Sequence, residues 1–375
     1  MSANNLKPPP ADVAYRDETV RQLMEPIHEL LAAHPGVTEF VMSNPLEAFM
    51  EVGAEWIKVA MPLMTEDKCY QLANAVAIYA GQAISAQQPL LSATLPSGER
   101  IQITVPPVVE PGTISLSIRI PSMTIRSLDE YENQGAFARF VWAESPDIAA
   151  RNDELQESER RLVALLKDRN LKEFLIQAVR EKKNIAVVGD TGSGKTTLMK
   201  SVCQYILPTE RLITIEDVRE LFLPNHENRV HLLYSKGGQG VAKVTPADLI
   251  GATMRMKPDR VLLAELRAGE AFDFLKLLTT GHSGSITSFH AESCALSYER
   301  YVFMCKEHPD AQTYTDMALK RLVALTIDII VHVTARVVYD SQGNPTHKER
   351  FVTEVSYDPA LKLNQRIGEA KLHHA

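Results

Sequence analysis

The chain has 375 residues, 45% of them hydrophobic and 23% charged, which is the composition of an ordinary globular protein of two or three domains. This excludes a mostly disordered chain, a collagen-like repeat and a small disulfide scaffold. Lys and Arg number 40 against 47 Asp and Glu, giving a formal charge of −7, which argues against non-specific nucleic-acid binding but leaves room for a local basic groove.

Taken in chain order, residues 1–15 read as a loosely ordered arm. They hold three consecutive prolines and lack the apolar core of a secretion signal. Residues 16–144 read as a smaller N-terminal α+β domain. FVMSNPLEAFMEV at 40–52 and WIKVAM at 56–61 predict strands split by a turn at Asn44-Pro45, and 66–86 predicts a helix. Residues 90–95 and 100–105 predict a hairpin turning at Pro96-Ser97-Gly98, and 114–120 alternates as a further strand. Residues 145–183 are charged, open on Ser145-Pro146-Asp147 and show helical periodicity from Leu155. They read both as a linker between domains and as a surface helix of the second.

From residue 184 to the end the pattern becomes α/β. Strands are predicted at 184–189, 211–216, 230–234, 260–265, 284–289 and 327–334, with helices between several of them. That order implies a largely parallel sheet whose ligand loops lie at the carboxyl ends of the strands. Ten of the 18 glycines fall between Gly189 and Gly284, which gathers loops around one site. There is no run of 18 apolar residues, so no membrane-spanning helix is expected. Cys69, Cys203, Cys294 and Cys305 form no C-x-x-C pair, and reduced thiols in a cytoplasmic protein are expected.

Gly189-Asp190-Thr191-Gly192-Ser193-Gly194-Lys195-Thr196 fits the phosphate-loop pattern G-x-x-x-x-G-K-[ST]. It follows an apolar strand and opens a helix at Thr197, the setting that the motif requires. Glycines let successive N–H groups turn toward phosphate oxygens, and the helix N-terminus adds its dipole. Lys195 is expected to reach the β- and γ-phosphates and Thr196 to bind Mg²⁺. Two apolar strands end in acid: ITIED in Glu216 and Asp217, RVLLAEL in Glu265. Beside a phosphate loop such acids hold magnesium's water shell or orient the attacking water, and otherwise they mark where strands meet solvent. GHSGS at 281–285 lacks the final glycine and the preceding strand of a nucleophile elbow, which excludes that hydrolase chemistry. The strand it opens ends in His290, placed to hydrogen-bond a γ-phosphate or a neighbouring subunit.

GDTGSGKTT, ITIEDVREL, MRMKPDRVLLAELR and TTGHSGSITSFHA, in that order, resemble the four motifs of the secretion traffic ATPases, which power type II and type IV secretion, conjugation and pilus machines. The resemblance runs from about Asn184 to Glu292 and extends weakly to ISLSIRIPS and QGAF upstream. Without a four-cysteine zinc subdomain, the chain looks most like the type IV secretion and conjugation branch. The resemblance implies a RecA-like ATPase domain and a homohexamer of stacked rings using ATP and Mg²⁺. It places the ring at the cytoplasmic face of a bacterial inner membrane, beside channel components; the charge of −7 and the lack of a Lys/Arg run weigh against nucleic acid as a direct ligand. It implies that Gly189 to Thr197 bind nucleotide, that Glu216 positions the attacking water, and that Glu265 holds the magnesium-bound water. His290 would sense nucleotide state. Arg119 and Arg139, with Arg126 as a weaker third, would contact phosphates, and Arg255, Arg260 and Arg267 would form the subunit contact. Two alternatives stay open: a pilus or type II secretion motor, and a nucleotide-gated scaffold or nucleic-acid-binding ring.

Overall fold

The computed structural model describes residues 11–121, 125–142, 144–234 and 244–363, which fall by contact into two units. The first unit takes in 11–121 and 337–348, and the second begins after residue 122.

The first unit contains α1 (Ala11–Ala33), β1 (Val37–Asn44), β2 (Glu47–Val52), β3 (Glu55–Ala60), α2 (Glu66–Tyr79), β4 (Leu90–Thr94), β5 (Arg100–Thr104) and β6 (Ser115–Arg119). Its six strands pair antiparallel in the order β3-β2-β1-β6-β5-β4. The alternation in the sequence carries through: Ile101 and Ile103 point inward from β5, and Leu116 and Ile118 from β6. They share one core with Val20, Met24 and Ile27 of α1 and with Leu72, Ala73 and Val76 of α2. Helix α1 is an element that the arm-like reading of the N-terminus did not anticipate. Its residues 20, 24 and 27 have helical spacing, and the helix runs through Pro26. Residues 1–10 of the expected arm lie outside the described residues. Helix α2 ends at Tyr79 rather than 86. Gly81 adopts φ +64°, and the Gln82 N–H returns to the Ala77 carbonyl at 2.8 Å, a glycine-terminated C-cap.

The second unit opens with α3 (Leu128–Asn133), α4 (Pro146–Ala150), α5 (Glu157–Lys167) and α6 (Leu171–Arg180). It continues with β7 (Ile185–Val188), α7 (Lys195–Cys203), β8 (Leu212–Glu216), β9 (Arg229–Leu233), α8 (Pro246–Thr253), β10 (Arg260–Leu263), α9 (Glu270–Thr279) and β11 (Ile286–Phe289). It closes with α10 (Cys294–Lys306), α11 (Asp316–Thr326) and most of β12 (Ile329–Tyr339) and β13 (Pro345–Tyr357), whose residues 337–339 and 345–348 fall in the first unit. Strand order is β13-β12-β7-β11-β10-β8-β9, and every pairing from β12 to β9 is parallel. β7, β10 and β11 are buried along their whole length, as strands covered on both faces must be. Strands β7, β8, β10 and β11 therefore end at one edge, where their connecting loops collect.

Residues 125–142 belong to this second unit by packing. Leu128, Tyr131, Phe137 and Phe140 join the core of α5, α6 and the sheet, and Val141 N–H donates to the Thr353 carbonyl on β13 at 2.8 Å. The charged stretch 145–183 folds as α4, α5 and α6, and Leu162, Leu166, Phe174 and Leu175 enter the same core. All four cysteines are buried and unpaired.

Arg260, expected at a subunit contact, is instead fully buried. Its Nε donates to Glu210 Oε2 at 2.9 Å and its Nη2 to Oε1 at 2.8 Å, a two-pronged pair. Lys182 adds a third cationic contact to Glu210 at 3.1 Å. Burial raises the Glu210 carboxyl, but hydrogen bonds and charge from Arg260, then Lys182, outweigh it and lower its pKa. Glu210→Ala would strand a buried cation and should cost about 3–5 kcal/mol in urea unfolding. Because the folded carboxyl is the more acidic, this stabilisation is present above its unfolded range and is lost as pH falls through the lowered folded value.

Candidate functional site

β7 delivers the chain to Gly189 between β11 and β12, and the loop 189–194 leads directly into α7. Gly189 has φ +150°, and a Cβ there would stand 2.0 Å from the Val333 carbonyl oxygen on β12. Only glycine fits. Gly194 has φ +96° and caps α7, so the loop turns its backbone toward the helix N-terminus. α7 begins at Lys195 rather than Thr197. Asp190 and Thr191 are exposed, and Thr196 and Thr197 half-buried. Ser193 is buried, and its Oγ has no hydrogen-bond partner among the described residues. A polar atom left so is costly, and a phosphate oxygen at the loop would satisfy it.

The Lys195 ammonium is largely buried. It donates to the carbonyls of Gly189 at 2.9 Å and Asp190 at 2.8 Å, and lies 3.2 Å from His290 Nδ1. His290 follows β11 where Phe289 pairs with Val188 of β7, so the parallel register sets it beside the loop. Its other nitrogen, Nε2, is 2.9 Å from Glu265 Oε1. Glu265 in turn accepts from Arg267 Nε at 2.8 Å, and Arg267 Nη1 lies 3.3 Å from Asp217 Oδ2. Desolvation lowers the His290 pKa first, and the Lys195 charge lowers it further against the pull of Glu265. A neutral imidazole with Nε2–H donating to Glu265 leaves Nδ1 as the acceptor for Lys195. The site is thus a chain of polar groups from the loop lysine through histidine to a carboxylate that is partly exposed to solvent.

Glu216 stands apart from this chain. It is fully buried, and Oε2 accepts from the backbone N–H of Glu220 at 2.7 Å and Leu221 at 2.8 Å. Oε1 accepts from Thr214 Oγ1 at 2.8 Å and lies 3.4 Å from His231 Nδ1. Thr214 and His231 are register partners across β8 and β9, and Glu216 shares their face by the two-residue period. Of the two acids that read alike in sequence, one clamps the turn after β8 and the other faces the lysine.

The three expected arginines occupy different surroundings. Arg119, in the first unit, is half-exposed and lies 3.8 Å from Glu39. Arg139 pairs with Glu349 at 3.1 Å and lies over the Phe351 ring. Arg126 hydrogen-bonds Gln134 and lies over Tyr131. Sequence reasoning passed over Arg350. It sits on β13, and its Nε donates to the Gly192 carbonyl at 3.2 Å. The surrounding THKERF carries no motif that would have flagged it. Among the described residues no three His, Cys, Asp or Glu side chains converge as a metal cage. No described helix is long and apolar enough to cross a membrane.

Residues 149–353 match the family described as Type II/IV secretion system protein. The chain is 42% identical over 349 residues to the type IV secretion system protein VirB11 of Brucella suis biovar 1, covering 92% of each. It is 42% identical over 313 residues to the type IV secretion system protein PtlH of Bordetella pertussis, covering 82% of this chain and 89% of that one. Among solved structures, it resembles the VirB11 ATPase of the Brucella suis type IV secretion system in complex with sulphate. That match has 40% identity and a TM-score of 0.51, covering 96% of this chain and all of the other (100%). The pilus retraction motor PilT with bound ADP shares the fold at 15% identity, with a TM-score of 0.52 over 94% of this chain and 88% of that one.

The two glutamates separate by experiment. Glu216→Gln replaces an acceptor of two backbone N–H groups by an amide and should cost about 1–3 kcal/mol of stability, read by thermal unfolding. Glu265→Gln should leave stability nearly unchanged. An NMR titration should find His290 deprotonating below its ordinary value, and Lys195→Ala should raise it.

Proposed function

We propose that this chain, which belongs to the type II/IV secretion system protein family and is an ATPase of its VirB11 branch, binds ATP on the loop Gly189–Thr197. It hydrolyses the terminal phosphoanhydride to drive type IV secretion. The observation that carries this reading is the lysine–histidine–glutamate chain at the mouth of the loop. It collects a phosphate-binding cation, a proton-mobile imidazole and a solvent-touching acid at the ends of adjoining strands. The relative from Brucella suis was solved with sulphate, a tetrahedral oxyanion of the kind that such a loop accepts.

Each residue then has a physical task. The loop N–H groups and the α7 dipole bind phosphate oxygens, and Ser193 Oγ gains the partner it lacks among the described residues. Lys195 exchanges its two carbonyl contacts for phosphate oxygens. Glu265 is the acid placed to order the attacking water and the water around the metal, while Glu216 fixes the turn at 217–221 that carries Asp217. His290 joins Lys195 to Glu265, so a change in the lysine's partners reaches the acid. Mg²⁺, held by Thr196 and through water by Glu265, would neutralise charge on the phosphates; a site with few protein ligands suits it. Arg119 and Arg139 remain candidates for phosphate contact. The family membership further supports a homohexameric ring, docked on the cytoplasmic face of the inner membrane against the secretion channel.

Lys195→Ala should fold like the parent and lose ATP turnover by more than about 10²-fold, since it removes the charge that meets the developing phosphate charge. Phosphate release and circular dichroism would measure the two properties. Parental turnover in that variant would overturn the proposal. Light scattering with ATP and Mg²⁺ should return six times the subunit mass.

A further inference from the structure

We propose that Arg350 is a phosphate-contacting residue of the nucleotide site, supplied by β13 of the same subunit that supplies the loop. This rests on the reading of 189–197 as a nucleotide loop. Three observations support it. First, Arg350 lies on the loop itself: Nε donates to the Gly192 carbonyl at 3.2 Å, and a Cβ at Gly194 would meet Arg350 Cδ at 3.0 Å. The side chain is therefore laid across the turn that leads into α7. Second, no carboxylate among the described residues forms a salt bridge with it. The neighbouring carboxylate, Glu349, already holds Arg139 at 3.1 Å and Arg336 at 2.8 Å. No salt bridge reaches Arg350, and its Nη1 and Nη2 make no hydrogen bond among the described residues. Third, a guanidinium keeps its charge at any working pH and presents its donors as a planar fork matched to phosphate.

An arginine fork with both outer nitrogens uncommitted, pinned beside a helix N-terminus, adds to the positive potential that the loop and dipole already supply. The chemistry it suits is a phosphate oxygen of the loop-bound nucleotide. The Nε contact to Gly192 positions the fork, and the η nitrogens are the contacting groups. Gly194 also acquires a second reason to be glycine, because a side chain there would displace the arginine.

The test compares the full-length parent, Arg350→Gln, Arg350→Lys and Lys195→Ala by calorimetry with ATP and ADP and by steady-state turnover. Glutamine keeps a donor for the Gly192 carbonyl but removes the charge. Arg350→Gln should melt like the parent without nucleotide, bind ATP and ADP about ten-fold more weakly, the loss of one charge-assisted contact, and lose part of the nucleotide-induced rise in melting temperature. Lysine should restore part of the affinity. Parental affinity and turnover in a folded Arg350→Gln would overturn the assignment while leaving the nucleotide site intact. So would a lowered melting temperature without nucleotide and unchanged affinity, which marks a packing role. If the parent itself took up neither nucleotide, the underlying reading would fall, and this one with it.

Discussion

The ammonium of Lys195 is where the architecture of the second unit converges. A buried cation must be surrounded by oxygen or by an acceptor nitrogen, and here it has two loop carbonyls and the His290 imidazole. Those partners come from separate parts of the chain: the turn after β7 and the end of β11. They meet because the two strands are parallel neighbours in a register that aligns Val188 with Phe289. A shift of one residue in that pairing would carry histidine to the opposite face. The sheet's hydrophobic register therefore sets the site's polar geometry.

The same sheet also rations its acids. Thr214, Glu216 and His231 form a buried polar cluster on β8 and β9, tied to the backbone of 220 and 221. Glu265, one strand nearer the loop, is partly exposed and shares His290 with the lysine. A carboxylate that receives two backbone N–H bonds and a hydroxyl bond is satisfied where it stands. Glu265 instead meets a half-exposed imidazole and an arginine side chain.

Much of this architecture is legible in the sequence. The strands of the second unit announced themselves as runs of branched apolar residues, because a parallel sheet covered on both faces admits little else. The loop was legible because its glycines are compelled by contact, as Gly189 against Val333 shows. Helix α1 was not, because the prolines at its start read as loose chain and Pro26 stands in its interior. β13 was missed because PTHKERF presents charge where a buried strand would present hydrocarbon, as suits the edge of a sheet. Glu216 and Glu265 read alike as acids closing apolar-rich strands, and the different partners they meet come from the pleat and the register, which the sequence does not print. Arg350 left no trace at all: its importance comes from a strand pairing more than 150 positions from the loop it covers.

The four cysteines have a practical consequence. Each is sealed in a core, and desolvation pushes Cys69 up to about 11 and Cys203, Cys294 and Cys305 up to about 12. Almost no thiolate forms near neutrality, so maleimide dyes find little to attack in the folded molecule. Fluorophores or spin labels could be planted at chosen surface positions without first stripping out the native sulfurs. That makes this chain a convenient one in which to follow changes of shape by labels placed on its surface.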